Sequence, residues 1–200
     1  MESGSPTRQE PRSPVLSFSE AVDVAQKQLT SSLGSECRFL VLDRLDEASL
    51  KVIQSIEDST FRSELRYTRE ELLQRANGRG FLLIVVLCNE KPVAFMHGYS
   101  DRDEGLTFFL DSIATIIENR GIGSTLVSLA LLHSLEKGYR LVTLWTEEKD
   151  DKDRLLRRFY EKLGFNFIED NPTKGVVMSE KLDHESVLRL FYERVVPLKK

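Results

Sequence analysis

The stretch "RGIGST", Arg120 to Thr125, sets two glycines around one isoleucine between two apolar runs. Glycine weakens helix and strand interiors alike, so a pair at such a seam implies that the backbone must come close to something. If the segment opens a helix, its first amides lack intrahelical partners and the helix end carries partial positive charge. Small residues there let an anion reach the amides. Gly121, Ile122, Gly123, Ser124 and Thr125 therefore read as a phosphate cradle. The plainer alternative is a helix start that needs close backbone packing. A P-loop would place Lys ahead of the Ser-Thr pair, where Gly123 stands. A dinucleotide fingerprint would add a third glycine within a parallel sheet, and neither is indicated.

The surrounding chain supplies the elements that would hold this seam. "FLLIVVL", "VAFMHGYS" and "LTFFLDSIATI" are strand signals joined by turns too short for parallel crossovers, so they should form an antiparallel meander. The seam then opens a helix through "GSTLVSLALLHSLEKG", and "YRLVTLWT" resumes as a strand. That passage is long enough for a right-handed crossover, which makes its two strands parallel. "DRLLRRFYEKLG" predicts a short helix with Leu155, Leu156, Phe159, Tyr160 and Leu163 on one inward arc. A last hairpin follows around "NPTKG".

Upstream, Ser17 and Glu20 have capping-box spacing at the head of a helix, and "CRFLVLDRL" reads as a strand. Helices are predicted at "DEASLKVIQSIEDSTF" and "TREELLQRA", with the polar connector "EDSTFRSELRY" between them. The chain ends in a helix whose Val187, Leu188, Phe191 and Val195 form a narrow apolar stripe. Such a stripe either docks on its own domain or makes a homodimer. The class is mixed α/β, with a disordered tail at 1–16 and a single domain at 17–200.

Composition narrows the function. The 200 residues are 40% hydrophobic and 30% charged, enough for one sizeable core. A net charge of −4 argues against direct nucleic-acid binding through a basic surface. Cys37 and Cys88 form no ligand pattern, and His97, His133 and His184 lack mutual metal spacing, so no metal is expected. The N-terminus has no apolar segment of a secretory signal, and no run is long enough to span a bilayer. An intracellular protein without a membrane partner is the expectation, cytoplasmic or nuclear.

"LDSIATIIENRGIGSTLVSLALLHSLEKGY", followed by a strand and then "RRFYEKLGF", resembles the GNAT superfamily of N-acetyltransferases. In that family a loop with Gln or Arg three residues before Gly-x-Gly/Ala grips the pyrophosphate of acetyl-CoA, and a helix like "LYEKLGF" lines the cofactor. The resemblance runs from about Leu82 to Phe167 and leaves the first and last helices outside it. It implies a mixed, mostly antiparallel central sheet with a splayed parallel strand pair, flanked by helices, with extra helices at both ends. It further implies acetyl-CoA as co-substrate, no metal, and pantetheine held by backbone near Ile113, Ala114 and Thr115. Glu118 occupies the family's Gln/Arg position, with Arg120 nearby to compensate. Asp153 and Leu156 stand where relatives often carry Asn and Ala.

Acetyl transfer to nitrogen sets chemical requirements. A lysine-like amine of pKa ~10.4 is neutral about once in 10³ molecules at pH 7, a cost of roughly 4–5 kcal/mol. A general base is therefore expected. Asp111, on the strand nearest the acetyl group, is one candidate; its other reading is an exposed strand carboxylate or loop cap. The resemblance makes Tyr160 the proton donor to departing coenzyme A, against a core tyrosine bonded to a backbone carbonyl. Trp145 reads as core, or as a border of the acyl pocket. Glu57, Asp58 and Glu64 lie where they could attract a cationic amine. The implied reaction is direct transfer to a primary amine, of a small molecule or a protein, in a ternary complex. The competing class is a catalytically silent fold that binds acyl-CoA or a protein, and a nucleotide-hydrolysing enzyme stands behind both.

Overall fold

The computed structural model describes residues 16–101 and 105–196. The tail expected at 1–16 falls outside these residues apart from Leu16. In chain order the elements are α1 (Phe18–Leu33), β1 (Cys37–Leu42), α2 (Glu47–Thr60), a 3-10 turn at Ser63–Leu65, α3 (Arg69–Ala76), β2 (Leu82–Cys88), β3 (Lys91–Ser100), β4 (Thr107–Thr115), α4 (Ile122–Glu136), β5 (Leu141–Thr146), α5 (Leu156–Glu161), β6 (Asn166–Asn171), β7 (Gly175–Lys181) and α6 (His184–Val195). The strands form one seven-stranded sheet in the order β1-β2-β3-β4-β5-β7-β6. Only β4 and β5 pair in parallel. The predicted meander and crossover are both present.

Local chemistry explains the helix starts. Ser17 accepts from the Glu20 amide while the Glu20 carboxylate takes the Ser17 amide, and Thr68 with Glu71 repeats this box at α3. Asp46 caps α2 in the same way with Ser49. Removing one such box leaves an orphan donor at the helix end. Ser17→Ala should lower the melting temperature by about 2–4 °C without changing the fold, measurable by circular dichroism.

The sheet has a core on each face. One lies under α1, α4 and α6 and includes Met96, Phe108, Leu126 and Phe191. The other lies under α2 and α3 and includes Leu50, Ile53, Leu72 and Phe95. Helix α4 is apolar nearly all round because it is wedged between the sheet and two other helices. Val187, Phe191 and Val195 of α6 are buried in the first core, with Leu188 packed at its margin. The C-terminal stripe thus docks on the chain's own α4 and α1.

The helix around Tyr160 starts later than its periodicity predicts, at Leu156. Asp150 causes the delay: its Oδ1 accepts the amides of Lys152 and Arg154 at 2.9 Å each, holding the residues before Leu155 in a turn.

Candidate active site

The site begins as a fork in the sheet. Parallel pairing between β4 and β5 ends at Leu110 opposite Leu144, yet the strands run on to Thr115 and Thr146. A bulge in β4 accompanies the split: Gly98 pairs with Leu110 and His97 with Ser112, which leaves Asp111 as the extra residue. Bulges bend and twist the strand that carries them. Gly98 is required opposite it, because a Cβ there would lie 2.5 Å from the Phe109 carbonyl oxygen and 2.6 Å from the Phe108 ring.

Beyond the bulge, the Ile116 amide donates to the Val93 carbonyl on β3 at 2.8 Å. Backbone groups of an antiparallel strand alternate between facing the partner and facing away. Ile113 and Thr115 therefore turn their N–H and C=O groups into the fork, whereas Ala114 turns its own toward β3. Of the three backbone positions expected to bind pantetheine, two face the open side.

The glycine seam lies at the base of α4, directly after this fork. Gly121 caps the helix at φ +78°, a conformation that glycine adopts without the usual steric cost. The Thr125 amide donates to the Gly121 carbonyl at 2.9 Å, closing the first helical turn. Thr125 is thus removed from the cradle, whose amides are those of Gly121, Ile122, Gly123 and Ser124. No acidic residue stands in this first turn. Glu118, at the position that departs from the family pattern, is neutralised by Lys152 at 2.7 Å and Arg154 at 3.0 Å. Arg120 is exposed beside the cradle and makes no ion pair among the described residues.

Helix α5 packs beside the start of α4. A Cβ on Gly123 would sit 3.5 Å from the Phe159 ring, in ordinary contact. Tyr160 is buried, edge-on to Phe159 and Phe165 at 5.0 and 5.8 Å between ring centroids. Burial raises its phenol pKa, keeping the proton on oxygen. Its hydroxyl makes no hydrogen bond among the described residues, so the backbone-carbonyl partner of the core-tyrosine reading is not found there.

On the sheet face under α2 and α3 lies a buried polar cluster. The Asp111 side chain is only 5% exposed; Oδ2 accepts Arg75 Nε at 2.8 Å, and Oδ1 accepts the Tyr67 hydroxyl at 3.0 Å. Arg75 also lies 3.8 Å over the Tyr67 ring. Asp111 is therefore neither an exposed strand carboxylate nor a free base: its two oxygens are held by a cation and a phenol. His97 stacks on Phe95, with Nδ1 3.7 Å from Asp111 Oδ2, and burial lowers its pKa. Glu57 is 1% exposed; Oε2 accepts the Tyr67 amide at 3.2 Å, while Oε1 has no partner. Burial above all, with Asp111 and Asp58 adding repulsion, pushes its pKa up to about 7.

The connector between α2 and α3 reaches toward the strand ends, Arg62 pairing with Glu147 and Asp151 after β5. Asp58 and Glu64 are exposed and paired with Arg66 and Arg62. Trp145, read from sequence first as core, is instead 44% exposed at the fork's edge, packed on Phe109 and capped by Lys174. His133 is a packing residue between Phe18 and Phe108. Among the described residues no group of three or more potential metal ligands is present, and no helix is long and apolar enough to cross a membrane.

Sequence reading passed over Arg75 and Tyr67 and weighed His97 only as a metal ligand; the three are brought to Asp111 from three separate elements. Glu57 carried a detectable signal. It lies four residues after Ile53 and seven after Leu50, on the apolar arc these set with Ile56, so a carboxylate was due to point inward.

The sequence from 50 to 165 matches the family model described as "Acetyltransferase (GNAT) family". A search among proteins of curated function gives no match. Among solved structures, the PaiA N-acetyltransferase from Thermoplasma acidophilum in complex with coenzyme A is 17% identical, with a TM-score of 0.55 over 72% of this chain and 99% of that one. The ribosomal-protein-S18-alanine N-acetyltransferase from Escherichia coli is also 17% identical, with a TM-score of 0.58 over 72% and 94%. An aminoglycoside 6'-acetyltransferase type Ii is 19% identical, with a TM-score of 0.59 over 72% and 96%. These likenesses are of fold.

Proposed function

The chain belongs to the acetyltransferase (GNAT) family, and from that membership we propose that it moves acetyl from acetyl-CoA directly to a primary amine in a ternary complex. The observation that carries this reading is the continuity of the β4–β5 fork with four helix-start amides at Gly121–Ser124. An extended amide-bearing chain needs free strand backbone, and a pyrophosphate needs unpaired N–H groups at a positive helix end. Both are offered by neighbouring stretches of the chain, the end of β4 and the start of α4. The fit supports acetyl-CoA, which when bound supplies an acetyl group already activated as a thioester.

The roles follow from position. Ile113 and Thr115 hold the pantetheine arm through their backbone, with Ala114 keeping β4 locked to β3. Gly121, Ile122, Gly123 and Ser124 hold the pyrophosphate, and Arg120 adds an unpaired positive charge beside it. A strand amide at the bulge stabilises the charge that develops on the carbonyl oxygen. Tyr160, kept protonated by burial, donates to the sulfur as it leaves. Asp111 holds Arg75 and Tyr67, and thereby the connector that borders the acceptor side. Neither cysteine lies near the fork: Cys37 and Cys88 face each other across β1 and β2, so no acyl-enzyme is needed.

A panel of small and peptide amines, followed by release of free coenzyme A, tests this reading. Amine-dependent thiol release with a matching mass gain of one acetyl group is expected. Tight acetyl-CoA binding without release on any amine would leave the silent-fold alternative standing in its place.

A further inference from the structure

We propose that Glu57 receives the acceptor ammonium and takes its proton, through the carboxylate oxygen that has no partner in the cluster beneath the connector. This inference rests on the acetyl-transfer reading above and names the base for it.

The argument starts from the charges. Asp111 is balanced by Arg75, and Tyr67 stays a neutral phenol because burial raises its pKa. His97, from β3, is stripped of charge by burial. Asp58, on the same helix as Glu57, is turned outward to Arg66. Around Glu57, therefore, α2 contributes Asp58, the connector Tyr67, α3 Arg75, β3 His97 and β4 Asp111, and none leaves a spare positive charge for it.

Three buried polar atoms of this cluster lack partners: Glu57 Oε1 and both ring nitrogens of His97, of which the neutral ring leaves one as an acceptor. An unmatched buried oxygen costs free energy that a donor recovers. A primary ammonium brings three donors and the missing charge. The cluster also sits where the amine must act. Tyr67 joins Glu57 through its amide and Asp111 through its hydroxyl, and Asp111 is the bulge residue at which β4 leaves β5. The connector above is fastened by largely exposed ion pairs of Arg62 and Arg66, which hold weakly against opening.

In the step itself, the ammonium N–H bond breaks and its proton passes to Glu57 Oε1. The nitrogen lone pair then forms the C–N bond to the thioester carbonyl carbon, and the C–S bond breaks with its electron pair on sulfur. Sulfur takes the Tyr160 proton, and Tyr160 is reprotonated from solvent. The nitrogen sheds its second proton to solvent, Glu57 returns its own on product release, and each turnover frees one proton.

Because Glu57 becomes a carboxylate only above about 7, kcat/KM of the wild-type protein should fall on the acid side with a break near that pH. Glu57→Gln keeps the volume and an oxygen for the Tyr67 amide but cannot take a proton. It should lose about 10²-fold in kcat/KM at pH 8 and lose the acid break, with acetyl-CoA affinity unchanged. Glu57→Asp, which retracts the carboxylate by one methylene, should keep the break at a lower rate. Stability gives a second readout. The folded state holds this proton up to about 7, whereas an unfolded carboxyl releases it near 4.5, so wild-type stability declines across that window. The melting advantage of Glu57→Gln over wild type should accordingly widen as pH rises from 5 to 8. Wild-type transfer with Glu57→Gln within twofold and its acid break intact overturns the role of Glu57 alone. Absence of transfer by the wild type to any amine overturns the acetyl-transfer reading and this base with it.

Discussion

Tyr160→Phe is expected to lower kcat by about 10²-fold or more while acetyl-CoA affinity stays within a small factor of wild type. The substitution removes one hydroxyl and keeps the ring, so the edge-on contacts to Phe159 and Phe165 survive. The hydroxyl has no hydrogen bond to lose among the described residues, which makes a large stability cost unexpected. A phenol that protonates sulfur contributes only as the C–S bond breaks, so its removal affects turnover rather than binding. Single-turnover kinetics, isothermal calorimetry with acetyl-CoA and a thermal melt together read the three quantities. Near-normal single-turnover rates in a folded variant would remove Tyr160 from the mechanism and leave solvent as proton donor.

Gly123→Asp should weaken acetyl-CoA binding by at least tenfold in a protein that remains folded. Its backbone is helical and a Cβ meets only the Phe159 ring at ordinary contact distance, so the fold should accept a side chain. The damage comes from charge, since a carboxylate in a first turn that has no acidic residue opposes the field that attracts pyrophosphate. Gly123→Ala separates size from charge: it adds the same Cβ without the carboxylate and should fall between wild type and Gly123→Asp. The corresponding change at Gly121 would be less clean, because its positive φ adds backbone strain to any side chain. Calorimetry settles the assignment, and unchanged affinity for the aspartate variant would place the pyrophosphate elsewhere.

Most of the architecture was legible in the chain. Alternating and continuous apolar runs specified the strands, short polar turns specified antiparallel neighbours, and the one long crossover specified the parallel pair. These are local rules, and a single sequence states them directly. The glycine seam was legible for the same reason, since backbone freedom and free amides are properties of a few consecutive residues. Its outer limit was not. Whether Thr125 belongs to the cradle depends on where the first helical hydrogen bond closes, and that bond ends on the Gly121 carbonyl. The start of α5 likewise shifted because Asp150 holds the Arg154 amide from outside the periodic segment.

What the sequence by itself determined, then, is the mixed α/β class, the position of the glycine seam and the inward placement of Tyr160, each encoded within one helix or strand. Tertiary structure alone decided the surroundings of Asp111 and Glu57. The bulge in β4 selects the sheet face on which Asp111 lies, and Arg75, Tyr67 and His97 reach it from positions 36, 44 and 14 residues away along the chain. The same packing buries Glu57 and raises its pKa, while leaving Asp58, its neighbour in sequence, in solvent with Arg66. Charge and burial at such a cluster are set by elements that converge only on folding. Hydrophobic periodicity could place a carboxylate on the inner arc of α2, but only the folded neighbours decide whether that carboxylate is paired or left free to take a proton.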